Sequence, residues 1–244
     1  MADSERRTRH AGWNLGAGDP AAVIAEARKA LFVMVGFLAI LWVVQIANVA
    51  DHYQLTVSYG IKPREIGSLP DILTAPFLHF NWAHIEGNSG PLFIFGFLAA
   101  YRGVTKFFGV TAVVILTSGL AAWLTESPHS VGAGASGVVF GYFGYIMVRG
   151  FFDRHPIDML IGAVMALCFA YQFSVLLPQQ GIGWQAHIGG LVGGVLSGWL
   201  FRDRRPKPAA RAPALPGTLG KKAVAPPADG SRAELHRQLD DLGL

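Results

Sequence analysis

Six apolar segments, separated by short polar gaps, constrain this chain more than any other feature of its sequence. They cover approximately residues 31–50, 83–101, 107–124, 136–148, 157–177 and 184–201. The chain is 52% hydrophobic and only 15% charged, whereas a typical soluble domain has about 25% charged residues. Segments of this length and composition are typical of helices that cross the hydrocarbon core of a bilayer. We therefore expect an all-α, polytopic membrane bundle with six transmembrane helices.

Basic residues in the gaps indicate the orientation of this bundle. Lys and Arg lie between the second and third segments, between the fourth and fifth, and directly after the sixth, whereas the gaps 125–135 and 177–183 contain neither residue. Because cytoplasmic loops carry an excess of Lys and Arg, both termini are expected on the cytoplasmic side of the plasma (inner) membrane. The same excess explains the formal charge of +4 without any binding of nucleic acid.

The two ends of the chain differ in composition from the apolar core. Residues 1–30 are predicted to form a cytoplasmic tail, with a short amphipathic helix near 20–29. Residues 202–244, rich in Pro, Ala and charge, are predicted to be a largely disordered cytoplasmic tail. The membrane domain is expected over 31–201. Its long outer gap, 51–80, runs into the apolar stretch LTAPFLHFNW, which is expected to lie in the membrane interface or to dip into the bilayer.

Three polar residues lie at a similar depth in three different segments. They are Ser136, Asn88 and His187. Each lies 13 to 15 positions before the basic residue that marks the cytoplasmic end of its helix, which is Arg149, Arg102 or Arg202 respectively. At about 1.5 Å per residue this separation is about 20–22 Å, and His84 lies one turn further out. In a hydrocarbon core about 30 Å thick, these residues share a layer about 8–10 Å below the outer face.

Ser136 allows two interpretations when it is considered alone. It could be a small residue that lets two helices pack closely, or it could be a nucleophile. Polar residues at this depth are costly and are usually paired or functional. The glycine-rich run before Ser136 must also lie below the surface, where irregular backbone is tolerated only in protein or against water. A serine at a helix start, with a base and anion-stabilising N–H groups, is what acyl transfer requires.

The same residues carry a resemblance to the rhomboid intramembrane serine proteases, of the bacterial six-helix type. The Gly-x-Ser-Gly motif of that family is matched at 134–137, and its Ala-His-x-x-Gly-x-x-x-Gly motif at 186–194. A His-x-x-x-Asn element opens the second segment at 84–88, after APFLHFNWAH. Each motif is weak by itself, but three motifs in order, on the expected helices and at one depth, are specific. The resemblance covers about 31–201.

The resemblance implies a catalytic dyad without an acidic third member. It makes Ser136 the nucleophile and His187 the general base, which then protonates the leaving amine. It assigns oxyanion stabilisation to His84, Asn88 and the backbone N–H of Ser136. The supporting residues that it implies are Gly134 and Gly137 for close approach, Phe140 as a ring against the histidine, and His79 for hydrogen bonding in the first loop.

Two further features concern the packing of this site. Many relatives carry a Trp-Arg pair in the first loop, where this chain has YGIKPRE, so Arg64 is the nearest counterpart. Glycines recur every three or four residues in the fourth and sixth segments, which predicts close contact between these two helices. By contrast, Glu126 is interpreted as a solvated loop residue.

The resemblance implies a serine endopeptidase that cleaves transmembrane or juxtamembrane segments of membrane proteins near the outer face. Its substrates are expected to have helix-destabilising segments, and it needs no metal or organic cofactor.

The alternative is a catalytically silent rhomboid-type pseudoprotease that binds membrane helices. His79, His84 and His187 could instead ligate a metal, and a small-solute transporter is a third class. A transporter would predict polar residues at the midplane and an internal repeat, and neither is found. The oligomeric state is left open.

Overall fold

The computed structural model describes residues 20–179 and 181–203, and in these ranges the chain is all-α, as expected. Apart from an isolated bridge between Ile61 and Gly132, no β-structure occurs in the described part. The predictions for tail residues 1–19 and 204–244 lie outside these ranges. The helices are α1 Pro20–Ala50, α2 Gln54–Tyr59, α3 Trp82–Ala100, α4 Val104–Thr125, α5 Ser136–Asp153, α6 Pro156–Cys168 and α7 Trp184–Leu200, with 3-10 helices at Ile66–Ile72, Ala75–Phe77 and Ala170–Leu176.

Two of these helices are long and apolar enough to cross a membrane by themselves. They are α1 and α4, which are 31 and 22 residues long. A third span results if α6 and the 3-10 helix after it are taken together, although the two are bent by 66°. These apolar helices identify a membrane protein.

Helix α1 begins earlier than the first apolar segment. It runs without interruption over 31 residues from Pro20, so there is no separate amphipathic helix near 20–29. Proline is favoured at the first position of a helix, because its fixed φ is helical and the missing N–H would have no partner there. A helix of this length rises about 46 Å. It is therefore longer than a hydrocarbon core of about 30 Å.

The fourth and fifth segments also differ from the sequence prediction. Helix α5 continues to Asp153 instead of ending near 148, and in its last turn Arg149 pairs with Asp153, with Nε 2.9 Å from Oδ2 and both side chains 5% exposed. The fifth segment is a helix that breaks at Phe169. The Phe169 ring packs on Phe95, with a centroid distance of 4.8 Å. The bend therefore directs an aromatic side chain into the core.

Helices α5 and α7 pack against each other backbone to backbone. A Cβ atom added at Gly190 would lie 2.0 Å from the Gly137 carbonyl oxygen, and one added at Gly194 would lie 2.0 Å from the Gly141 carbonyl oxygen. Such contacts are possible only for residues without a side chain. The close approach predicted from the glycine spacing is confirmed, and it brings the start of α5 next to the start of α7.

The first loop, between α1 and α3, is fixed to the bundle by buried hydrogen bonds. Asn48 Nδ2 donates to the Thr56 hydroxyl at 2.8 Å and to the His79 carbonyl oxygen at 2.9 Å. Asn48 Oδ1 in turn accepts from the Thr56 N–H at 3.2 Å. All three residues are at most 1% exposed. One asparagine on α1 therefore fixes both ends of the loop.

We expect Gly194→Ala to lower the free energy of unfolding by at least about 2 kcal/mol, because its Cβ would overlap a backbone carbonyl that cannot move independently. The control is Gly36→Ala, which adds a Cβ with nothing within 4 Å. Since alanine favours helix over glycine by about 1 kcal/mol, this variant should be as stable as the parent or more so. Thermal unfolding in detergent measures both, and equal losses of stability would contradict the prediction.

Candidate active site

The structure brings Ser136 and His187 together across the contact between α5 and α7. Ser136 is the first residue of α5, and His187 lies in the first turn of α7. Ser136 Oγ and His187 Nε2 are 2.9 Å apart, which is hydrogen-bond distance. His187 is 6% exposed. A hydroxyl and an imidazole in this arrangement can act as nucleophile and base.

The hydrogen bond of the other ring nitrogen, Nδ1, determines the tautomer of His187 and hence whether Nε2 carries a proton. His187 Nδ1 lies 2.9 Å from the Val175 carbonyl oxygen, which can only accept a hydrogen bond. Nδ1 therefore carries the proton in the neutral ring, and Nε2 is left free to accept the Ser136 hydroxyl proton. A main-chain carbonyl on the 3-10 helix thus takes the orienting position that a carboxylate has in a triad.

The Phe140 ring restricts the orientation of the His187 imidazole ring. Its ring stacks on His187 with a centroid distance of 4.6 Å and an interplanar angle of 25°. Phe140 lies one turn after Ser136 on α5, and it is 2% exposed. The ring that the resemblance implies at this position is therefore in contact with the histidine.

The non-helical residues directly before Ser136 are hydrogen-bonded by the first loop. Ile61 and Gly132 exchange two backbone hydrogen bonds, of 2.9 and 2.8 Å, and the Gly134 N–H donates to the Ala75 carbonyl oxygen at 2.9 Å. The Ala135 N–H donates to His79 Nε2 at 3.3 Å. His79 is fully buried. The histidine expected to have a hydrogen-bonding role therefore contacts the residue next to Ser136.

Gly134 brings the backbone against two of the polar side chains predicted for the site. Its φ of +129° is rarely adopted by residues with a side chain. A Cβ added there would lie 2.7 Å from His84 Nε2 and 3.8 Å from Asn88 Nδ2. His84 and Asn88 therefore lie beside the backbone that leads into Ser136, as the shared depth of these residues predicts.

Asn88 has a donor that no described residue uses. Its Nδ2 is buried and has no hydrogen-bond partner in the described part of the chain. Asn88, His84, Ser136 and His187 all line one cavity of about 800 Å³. The first N–H groups of α5 have no intrahelical partner either, because they open a helix. The cavity therefore combines a hydroxyl, an imidazole and several donors suited to an anion.

Arg64, the nearest counterpart of the expected Trp-Arg pair, connects the first loop to the end of α4. Its Nη2 donates to the Glu126 carbonyl oxygen at 2.7 Å, and its N–H donates to the Trp123 carbonyl oxygen at 3.0 Å. The Trp123 indole N–H in turn donates to the Glu65 carbonyl oxygen at 2.9 Å. The tryptophan and the arginine that hold this loop therefore come from two different elements.

Two features of the site were missed by the sequence reasoning. The Val175 carbonyl belongs to the main chain, so the residue type gives no signal for its role. Glu126 was interpreted as a solvated loop residue, which is wrong, since it is 6% exposed and lines the cavity. Its carboxylate lies beside Gly132 and Gly183, so tertiary packing buries a residue that follows the end of α4.

Comparison with known proteins gives consistent matches. A family model described as a Rhomboid domain matches residues 67–204, which is more than half of the chain. An uncharacterized protein of Mycobacterium tuberculosis is 32% identical over 74% of this chain and 80% of its own length. The rhomboid protease GlpG of Haemophilus influenzae is 23% identical, over 75% of this chain and 94% of its own length. Rhomboid-like protein 11 of Arabidopsis thaliana is 31% identical, over 53% and 51%.

We expect Gly134→Ala to slow the reaction of Ser136 with a fluorophosphonate by about tenfold to a hundredfold, because the added Cβ displaces His84 from beside the reacting centre. Gly103→Ala is a matched control, since Gly103 has a similar φ of +122° but nothing within 4 Å of an added Cβ. Both variants have backbone strain of about 1–3 kcal/mol. Equal labelling rates in the two variants would contradict the prediction.

Proposed function

This chain belongs to the rhomboid family, and from that premise we propose that it is an intramembrane serine endopeptidase. It cleaves transmembrane or juxtamembrane segments of other membrane proteins, with Ser136 as nucleophile and His187 as general base. The observation that carries the proposal is the 2.9 Å contact between Ser136 Oγ and His187 Nε2, in a ring whose other nitrogen is bonded to a carbonyl.

The reaction proceeds through an acyl-enzyme. Ser136 Oγ attacks the carbonyl carbon of the scissile bond while His187 Nε2 takes the hydroxyl proton. The tetrahedral intermediate then expels the amine, which receives that proton from His187. A water molecule, deprotonated by the same imidazole, attacks the ester and restores Ser136. No described carboxylate contacts His187, so the Val175 carbonyl alone maintains the tautomer that these steps require.

The oxyanion of the intermediate is stabilised by donors next to Ser136. Asn88 Nδ2 has the geometry for this role, because it is buried beside Gly134 and has no described partner. His84 and the Ser136 N–H complete the set. Removing one such donor from a preorganised site typically costs about 10²- to 10³-fold in rate.

The substrate must expose its backbone before Ser136 can react with it. A helical peptide bond is shielded by its own turn, so substrates are expected to contain small, helix-destabilising residues at the cleaved bond. The cavity of about 800 Å³ is large enough for a short extended segment and for the water that hydrolyses the ester. Its lining includes Ile61, Ile72 and Ala75 of the first loop.

We further propose that the protein crosses the plasma membrane six times, with both termini in the cytoplasm and the cavity towards the outer face. The arrangement of basic residues supports this orientation. Arg102, Arg149 and Arg202 lie near the ends of α3, α5 and α7. Ser136 and His187 lie at the opposite ends of their helices.

We expect the wild-type chain in liposomes to be labelled by a fluorescent fluorophosphonate, and Ser136→Ala and His187→Ala to lose labelling by about 10³-fold or more, because each removes one half of the dyad. Ser130→Ala, which removes another hydroxyl that lines the same cavity, is the control and should keep its labelling.

Labelling that survives Ser136→Ala would show that another residue is the nucleophile. No labelling of the folded wild-type chain by several serine-reactive probes would favour the pseudoprotease instead.

The proposed topology predicts which positions a membrane-impermeant maleimide reaches in intact cells. In a Cys168→Ser background, His129→Cys lies in the loop before α5 and should be labelled from outside. Arg202→Cys, after α7, should react only after the cells are permeabilised. The reverse pattern would overturn the orientation, and labelling of both positions from outside would overturn the odd number of spans that the proposed topology places between them.

A further inference from the structure

Glu126 is an acidic side chain that lines the cavity containing Ser136 and His187. It follows the last residue of α4 and is 6% exposed. A Cβ added at Gly132 would lie 3.1 Å from Glu126 Oε2, and one added at Gly183 would lie 2.8 Å from Glu126 Oε1. The carboxylate therefore lies between the run that leads to Ser136 and the start of α7.

The Glu126 carboxylate has no counterion among residues 20–179 and 181–203. No ion pair or side-chain hydrogen bond reaches its oxygens in that part of the chain, and Arg64 contacts only its main-chain carbonyl. Burial raises the pKa of Glu126 above its ordinary value. A buried carboxylate without a partner is costly, whereas a cation placed against it would lower that pKa and offset the cost.

Among the described residues that line the cavity, none carries a positive charge to complement this carboxylate. No described lysine or arginine lines the cavity, Glu126 is the only acidic residue among its described lining residues, and the titratable groups besides Glu126 are His84, His187 and Tyr171. An extended segment entering the cavity must therefore pass a single, partly desolvated negative charge. Such a site attracts one positive group more strongly than the exposed surface would.

We propose that Glu126 is a specificity-determining residue, which binds a lysine or arginine side chain of the substrate close to the cleaved bond. This inference rests on the proposed function. It defines the substrate class as membrane-anchored polypeptides that combine a helix-destabilising cleavage site with a basic residue beside it.

The distance between the carboxylate and the reacting serine limits where that basic residue lies. Gly132, which contacts Glu126, is four residues from Ser136, a span of at most about 14 Å. Gly183 is one turn before His187, and its carbonyl oxygen accepts the His187 N–H at 3.3 Å. A lysine extends about 6 Å from its backbone, so a basic residue two or three positions from the cleaved bond can reach the carboxylate.

The test measures peptide binding, so that it does not depend on cleavage. The full chain carrying Ser136→Ala, in detergent, is titrated against fluorescent peptides of about 25 residues, each with a central Ala-Gly pair in an apolar segment. In a matched series, one Lys, Gln or Glu is moved through three positions on each side of the pair. Fluorescence anisotropy gives the Kd of every peptide.

We expect the Lys peptide to bind about tenfold more tightly than the Gln peptide at one or two of the six positions, and the Glu peptide to bind most weakly. In a second chain that also carries Glu126→Gln, the ratio of the Lys and Gln affinities should fall to about one, and Glu126→Asp should retain part of it. Glu65→Gln removes an exposed carboxylate outside the cavity, and it should leave the ratio unchanged.

Equal affinities of the Lys and Gln peptides at all six positions, or a ratio that survives Glu126→Gln, would overturn the inference. If Glu126 only stabilises the fold, Glu126→Gln should change the affinities for the Lys and Gln peptides by the same factor. That result would also overturn the inference. If Glu126→Gln does not fold, the order of the Lys, Gln and Glu peptide affinities for the Ser136→Ala chain tests the inference instead. A Lys preference without any cleavage by the wild-type chain would overturn the proposed function while leaving this binding site standing.

Discussion

Four hydrogen bonds between the first loop and the residues in front of Ser136 hold the site together. They join Ile61 with Gly132 twice, Ala75 with Gly134, and His79 with Ala135. A buried N–H group without a partner costs about 1–3 kcal/mol, so this glycine-rich run can lie inside the bundle only when the loop is in place. The loop is therefore a structural part of the candidate site and not a cover added to it.

Glycine contacts and hydrogen bonds together align the dyad. The contacts of α5 with α7 fix the spacing of the two helices, because backbone atoms meet there without intervening side chains. The loop then fixes where α5 begins, and hence where Ser136 points. The polar contact of Ser136 with His187 thus depends on apolar packing that extends over the full length of both helices. This is the usual way in which a rigid scaffold makes a reactive geometry available.

The sequence predicts which residues share the cavity better than it predicts the backbone around them. The equal depths of Ser136, Asn88 and His187 follow from helix rise alone, and the structure brings all three to one cavity. The break at Phe169 has no such signal, since neither glycine nor proline occurs between Phe169 and Leu177. The side chain of Glu126 is likewise fixed by tertiary packing, which the residues beside it in sequence do not determine.

The hydrogen bond between His187 and Val175 makes the orientation of the His187 ring depend on a second element. Val175 belongs to the bent segment after α6, and a shift of this segment by more than about 1 Å breaks that bond. The imidazole then loses the acceptor that selects its tautomer. His187 therefore keeps the tautomer that faces Ser136 only while this segment stays in place, so the polar pair depends on an element that contributes no side chain to it.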